Sequence, residues 1–307
     1  MKVRSSQILM IKENYTMRKK LTQFVFLSAA TALLSLALTG CGKTTVTIEE
    51  MINAGKTENL FSQYTSFQIE DSYEGVDPAS YYFDKDLIYV QFPEQGELYI
   101  GGEHQYLDLG GSLARVFYID QEPGRWSRED NMFYENDGIT EMVKTCEKKD
   151  GKLYVSTELS PEDSRKIAAS GGFIYNDGEI VKGDYVLDAK TLAILSQRQM
   201  TAAADGTERT FSTTTVTYNV QRPDIAATMY EHATAPVENP RTMTVIVDPD
   251  TASEQTFTVQ VPKGDSVAII PPEEYHQKLF LDRACTEAVT GATDRNKDIT
   301  VYLKKGA

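Results

Sequence analysis

The chain has 307 residues, 45 acidic against 31 basic side chains, a net charge of -14, three cysteines and three histidines. Such acidity argues against nucleic acid as a partner, because a polyanion is repelled and no Lys/Arg cluster beyond the amino-terminal region offers a compensating patch. Three cysteines do not make a disulfide scaffold, and the length left after a leader suits one large domain or two smaller ones.

Arg18, Lys19 and Lys20 precede an apolar run over residues 24–38 that closes on Thr39 and Gly40, immediately before Cys41. A positive start, a short apolar core and small residues at its end are the order of a secretion signal. The basic segment stays on the inner side of the membrane while the apolar stretch enters lipid as a helix. Met17 directly precedes the basic triplet and residues 1–16 add nothing a signal needs, so Met17 is the expected start and residues 1–40 the expected signal peptide. Leu38-Thr39-Gly40-Cys41, followed by the polar Gly42-Lys43-Thr44-Thr45, resembles the lipobox of bacterial lipoproteins. The resemblance implies a diacylglyceryl group on the Cys41 sulfur, cleavage before Cys41, and a lipidated linker over residues 41–46. At about 0.8 kcal/mol per buried CH₂, two acyl chains such as palmitate anchor far more firmly than one. Location at the extracytoplasmic face of the cell membrane is therefore expected. The competing reading is an uncleaved transmembrane helix over residues 21–39, near the roughly 20 residues a bilayer requires; the Ser and Thr interruptions and the terminal cysteine favour processing.

Thr47 and Glu50 have the spacing of a capping box, which predicts a short helix carrying Ile48, Met51 and Ile52. A second helical stripe of Leu60, Phe61 and Tyr64 runs on to Phe67 and a strand. From Ser72 onward aromatic and β-branched runs at Tyr81 and Phe83, 87–92, 97–100 and 106–109 are separated by turn residues, and predict consecutive antiparallel strands. Ser160-Pro161-Glu162-Asp163 opens a short helix that Gly171-Gly172 ends. Strands follow over 183–188, 192–200 and 208–220, the last two joined by an Asp205-Gly206 turn. The Thr-rich strand alternates Phe211, Thr213, Thr215 and Thr217 against Ser212, Thr214, Val216 and Tyr218, so one of its faces is polar and either looks outward or lines a partly wet groove. Residues 224–241 hold a proline-rich linker with one short helix near 225–232. Met243, Val245 and Val247, then Phe257, Val259 and Val261, and finally Ile299, Val301 and Leu303 predict the strands of a small module over 242–307.

Residues 47–223 resemble the LolA-like outer-membrane lipoprotein carriers. The likeness rests on Tyr185-Val-Leu-Asp-Ala-Lys-Thr-Leu-Ala-Ile-Leu-Ser, the Asp205-Gly206-Thr turn and the strand from Thr213 to Tyr218. It implies an α+β, mostly antiparallel fold: a curved half-barrel sheet with covering helices, holding acyl chains or other apolar groups between them. From Thr242 to Lys305 the chain is similar to internalin-type B repeats of β-grasp form, through Val247-Asp-Pro-Asp, the run from Thr256 to Asp265, Pro271-Pro272, the run from Phe280 to Cys285, and the run from Lys297 to Leu303. It departs from that pattern in lacking the closing tryptophan and in carrying Glu274-Tyr275 where the repeat has Gly-Tyr. One copy does not imply a repetitive stalk.

No catalytic constellation assembles from these residues. His104, His232 and His276 lie in three segments without metal-ligand spacing. Ser112 after Gly110-Gly111 lacks the frame of a nucleophile elbow. Asp294, Asn296 and Asp298 alternate like a calcium loop but lack its glycine and its closing glutamate. Asp248 and Asp250 flank Pro249 in an ordinary turn. Cys146 and Cys285 read as buried, reduced thiols, with a disulfide between them as the alternative. No enzyme activity, cofactor or metal is expected. The informative excess is aromatic: Tyr81, Phe83, Tyr89, Tyr99, Tyr106 and Phe117 either line an apolar ligand cavity or fill a sandwich core. The expected function is binding of a lipid or other apolar or amphiphilic ligand by a surface-tethered protein. The alternative is cell-envelope adhesion or assembly, with an envelope protein or glycan as partner.

Overall fold

A computed structural model describes residues 45–93, 96–100, 104–108, 113–119, 141–170, 173–271, 275, 278–289 and 294–306. The expected signal peptide, Cys41, Ser112, Trp126 and His276 lie outside the described residues, as does the side chain of His104.

Two short helices open the fold, α1 (Ile48–Gly55) and α2 (Thr57–Gln63). The predicted capping box starts α1: the Thr47 hydroxyl accepts the Glu50 backbone N–H at 3.1 Å, and Glu50 accepts the Thr47 backbone N–H at 2.7 Å. Eleven strands follow with one helix inserted. They are β1 (Ser66–Tyr73), β2 (Val76–Asp84), β3 (Leu87–Gln91), β4 (Gly96–Ile100), β5 (His104–Asp108), β6 (Leu113–Tyr118), β7 (Glu141–Lys149), β8 (Lys152–Leu159), β9 (Ile180–Asp188), β10 (Ile194–Ala202) and β11 (Glu208–Tyr218), with α3 (Pro161–Ser170) between β8 and β9. Next come α4 (Asp224–Thr234), β12 (Arg241–Val247), β13 (Gln255–Val261), β14 (Ser266–Ile270) and β15 (Ile299–Leu303).

The large sheet has twelve strands in the order β14-β6-β5-β4-β3-β2-β1-β11-β10-β9-β8-β7. Every pairing in it is antiparallel except β14 with β6. The molecule is thus mostly β and mostly antiparallel, with few helices, and the large sheet is open and mixed. β1 and β11 pair at its centre, placing Phe67 opposite Tyr218, Ile69 opposite Val216 and Asp71 opposite Thr214. The span 242–307 divides its strands between two sheets. β13, β12 and β15 form a small sheet, with β12 antiparallel to β13 and parallel to β15, whereas β14 adds to the edge of the large one.

Strand alternation sorts the large sheet into two faces. On the inner face, Met51 and Leu60 of α1 and α2 pack with Phe67, Ile69, Tyr81, Phe83, Val90, Tyr99, Val155, Leu187 and Val216. Further along that face Ile167 of α3 packs with Leu159, Val181 and Phe211, and Phe173 stacks on Phe211 at 4.0 Å. The opposite face is covered by α4, whose Ala226 and Met229 pack on Tyr82, Leu87, Tyr89, Leu98 and Tyr106. Beyond α4 the small sheet packs against Phe117, Ile119, Val267 and Ile269. Two-sided cover explains why β2 to β5 read as nearly continuous aromatic and apolar runs rather than as alternating ones. Among the described residues no helix is long and apolar enough to cross a membrane.

Candidate functional site

The six aromatic residues expected to line a cavity do not converge. Tyr81, Phe83 and Tyr99 lie on the inner face, Tyr89 and Tyr106 on the opposite face beneath α4, and Phe117 against the small sheet, 6.2 Å from Phe257. The physical reason is pleat parity: Tyr82 pairs with Tyr89 and Phe83 with Ile88, so odd-numbered residues of β2 share a face with even-numbered residues of β3. Each residue also has a packing partner of its own. Phe83 stacks on Phe67 at 4.7 Å, and the Tyr106 hydroxyl points to the Ala233 carbonyl at 3.4 Å.

What does converge on the inner face is a band of polar groups between the two helix-covered apolar patches. In register across the sheet lie Ala79 of β2, Asp71 of β1, Thr214 of β11, Gln197 of β10 and Tyr185 of β9. All five are buried. One pleat towards the β1–β2 turn lie Tyr73 and its register partner Ser212. The Thr-rich strand therefore turns Ser212 and Thr214 inward and leaves Thr213, Thr215 and Thr217 exposed, which places one of its two polar rows inside the protein.

Among the described residues, Glu97, Glu141 and Asp71 are acids of this face away from its rim, and the first two are satisfied. Glu97 accepts the Tyr99 hydroxyl at 2.7 Å and the Gln105 amide at 3.3 Å. Glu141, half-buried, accepts the hydroxyls of Thr157 and of Tyr185, the latter at 3.0 Å. Asp71 is only 3% exposed, and neither of its carboxyl oxygens has a hydrogen-bond partner. Burial pushes its pKa up to about 7; the Thr214 hydroxyl opposite pulls the other way without completing a bond, and the neighbouring Glu70 adds to the rise. Burial also raises the Tyr73 phenol well above its ordinary range, with the Asp71 charge and then Tyr81 contributing after the Ser212 hydroxyl is counted against them. A buried polar atom without a partner costs on the order of 1–3 kcal/mol, and more if charged.

The rim beside this band is formed by exposed residues of the β1–β2 turn, Glu74 and Gly75, and by an ion cluster. Arg209 reaches Glu74 at 3.0 Å and Glu179 at 3.7 Å. Val76 and Ile174 are large apolar side chains left exposed nearby in sequence, Ile174 at 62%.

The remaining candidates have local structural roles. His232 bonds to the Asp265 carboxylate at 2.8 Å, tying α4 to the turn before β14. Asp294 accepts the Asn296 backbone N–H and pairs with Lys297, while Asp298 accepts the Thr242 backbone N–H at 2.6 Å; of the three calcium-loop candidates, two thus bond to each other in a local turn and the third ties the start of β12. Asp248 accepts the Tyr275 hydroxyl at 2.9 Å and Asp250 pairs with Arg283 at 2.8 Å. Among the described residues no group of three or more His, Cys, Asp or Glu side chains could hold a metal ion. Cys146 and Cys285 are both free thiols, and burial raises the pKa of each. Among the described residues Arg241 is the other buried group with unpartnered atoms, at Nε and Nη1. Its Nη2 donates to the Asp265 carbonyl at 2.9 Å, and Asp265, Asp294 and Asp298 supply compensating charge.

Asp71 was not visible as a site from composition or motif. The signal that could have found it is phase: Phe67, Ile69, Asp71 and Tyr73 alternate through β1, which puts an acid on the apolar stripe of a strand. No protein-family model and no curated protein matches the chain.

Proposed function

We propose that this chain is a secreted bacterial lipoprotein, anchored at the extracytoplasmic face of the cell membrane through Cys41, that binds an apolar or amphiphilic ligand without catalysing a reaction on it. The ligand lies between the inner face of a curved, LolA-like sheet and the helices over it, and the β-grasp-like span 242–307 serves as spacer or partner contact. The anchor reading is supported by the basic triplet, the apolar run and Leu38-Thr39-Gly40-Cys41. The carrier-like reading is supported by the strand order around β9, β10 and β11 with helices on one face. The parallel pairing of β12 with β15 supports the β-grasp likeness.

The observation that carries the binding reading is a buried carboxyl group left without a partner in a face that is otherwise apolar or satisfied. Binding is favoured over catalysis because the inner-face acids Glu97 and Glu141 sit three and five strands away, about 14 and 24 Å along the sheet at ~4.8 Å per strand, and the nearer rim acids Glu74 and Glu179 are both engaged by Arg209. Acid pairs that cleave glycosidic bonds stand roughly 5–9.5 Å apart. Two measurements test the proposal. Radiolabelled palmitate should enter the wild-type chain and not Cys41→Ala; equal labelling of both would remove the anchor. Solvent extraction of the purified protein, followed by titration with fluorescent acyl probes, should reveal bound lipid or saturable uptake, and absence of both would remove the binding function.

A second reading, adhesion or envelope assembly through protein or glycan contacts, is favoured by the dense packing of Phe61, Phe67 and Phe83 under α2. It predicts a recurrent macromolecular partner on crosslinking in intact cells.

A further inference from the structure

We propose that Asp71 is the anchor for an ammonium headgroup, so that the ligand of the inner face is a cationic amphiphile carrying a primary amine. The inference rests on the binding reading above and narrows it to one class of ligand.

The surroundings of Asp71 select that chemistry. Its oxygens are acceptors with nothing to accept, and among the described residues no Lys or Arg pairs with it. The side chains that flank it on the inner face are neutral. On its own strand Tyr73 lies one pleat towards the turn and Ile69 one pleat the other way; Ala79 on β2 and Thr214 on β11 flank it, with Ser212 opposite Tyr73 and Gln197 beyond Thr214. The titratable groups acting on it or on its neighbours are Glu70, Tyr73 and Tyr81. The one arginine at the rim, Arg209, is held by Glu74 and Glu179. An ammonium group supplies three donors and the missing charge: Asp71 accepts one, and the Thr214 and Ser212 hydroxyls on the neighbouring strand can accept the others. Ala79 removes steric bulk on one side of the acid. The half-buried Tyr73 stands between Asp71 and the exposed β1–β2 turn, so the headgroup lies one pleat in from the rim. A carboxylate or phosphate headgroup would meet Asp71 as a like charge and be rejected.

The same geometry fixes a pH dependence. Only ionised Asp71 pairs with an ammonium, and with its pKa at about 7 the ionised fraction rises roughly thirtyfold between pH 5.5 and pH 8, with apparent affinity following it.

The test is calorimetric titration of the full chain carrying Cys41→Ala, so that no acyl anchor competes, with dodecylamine, dodecanol and dodecanoate below their micelle concentrations at pH 5.5 and pH 8. Expected are saturable binding of dodecylamine that strengthens at least tenfold at the higher pH, weaker binding of dodecanol without pH dependence, and weakest binding of dodecanoate. Asp71→Asn, which keeps the volume of the side chain, should lower dodecylamine affinity at least tenfold at pH 8 and leave dodecanol unchanged; an unaltered near-ultraviolet circular dichroism spectrum checks its fold. Equal binding of all three probes by both proteins would overturn the ammonium anchor while leaving an amphiphile-binding face. Failure of all three to bind would overturn both.

Discussion

The inner face of the large sheet holds two regions built from the same strands and opposite in character. Towards the α1–α2 end, Phe67, Phe83, Leu60 and Met51 are wholly or almost wholly buried and packed on one another. Four residues along β1 from Phe67, and one pleat beyond Ile69 of the same cluster, Asp71 is also buried and has no hydrogen-bond partner. The first region is dry and satisfied, as a core must be to hold the sheet together. The second keeps an acceptor that folding alone does not use. Within one strand of eight residues, stability and unspent binding capacity are therefore separated by a single pleat, and substitutions on either side should behave in opposite ways.

The largest effect is expected in the dry region. Phe67 stacks on Phe83 at 4.7 Å and lies 5.3 Å from Phe61, so Phe67→Ala removes a fully buried ring at the junction of helix and sheet. A loss of about 3–5 kcal/mol is expected, read as a lower urea midpoint with little change in slope. A loss under ~1 kcal/mol would mean that this end collapses freely and is not the core.

Asp71→Asn should act with the reverse sign. The folded-state pKa of about 7 lies above the ordinary value of 3.8, so between those two values the unfolded chain ionises while the folded chain stays protonated. Unfolding then releases a proton, and stability present in full below about pH 4 is lost as pH rises to about 7, by at most about 4 kcal/mol. The Asn variant cannot titrate there. Urea titrations at several pH values should show the wild type weakening relative to Asp71→Asn across this window, and parallel curves would show that the acid is not buried in solution.

Much of this contrast could be read before the fold was known, and the part that could not has a physical cause. The Thr47–Glu50 cap, the helix at Ser160, the Asp205-Gly206 turn and the strands of 81–109 are local features, and each appears where expected. The distribution of the aromatic residues is not local. Tyr89 and Tyr99 look equivalent in sequence, but which face each takes depends on the register of β3 against β2 and β4, and on α4 returning to cover the opposite face. The addition of β14 to β6 links residues some 150 positions apart and carries no local signal. Asp71 sits between these cases. Its phase was legible, but that its neighbours are alanine and threonine rather than a lysine follows only from β2 and β11 pairing on either side of it.

A smaller effect tests whether the polar band is as closely fitted as the apolar end. A Cβ on Gly183 would lie 2.7 Å from the Tyr185 ring and 2.8 Å from the Thr157 hydroxyl. Both groups are held by Glu141, so they cannot move without breaking that cluster. Gly183→Ala should lower stability by about 1–3 kcal/mol and speed hydrogen exchange on β8 and β9. Tolerance of the methyl group would show slack on this side of Asp71 and enlarge the space available to a ligand.

The smallest effect separates cover from site. Thr47 and Glu50 cap α1 reciprocally on the protein surface, and α1 contributes Met51 to the dry region while Asp71 lies along β1 beyond it. Thr47→Ala removes the acceptor for the Glu50 N–H and should lower global stability by about 1 kcal/mol, a shift measurable in thermal unfolding. Because the lost bond acts on the cover of the apolar end, dodecylamine affinity at pH 8 should stay within twofold of wild type. If affinity instead falls in step with stability, α1 forms part of the headgroup site and the two regions of the inner face are a single unit.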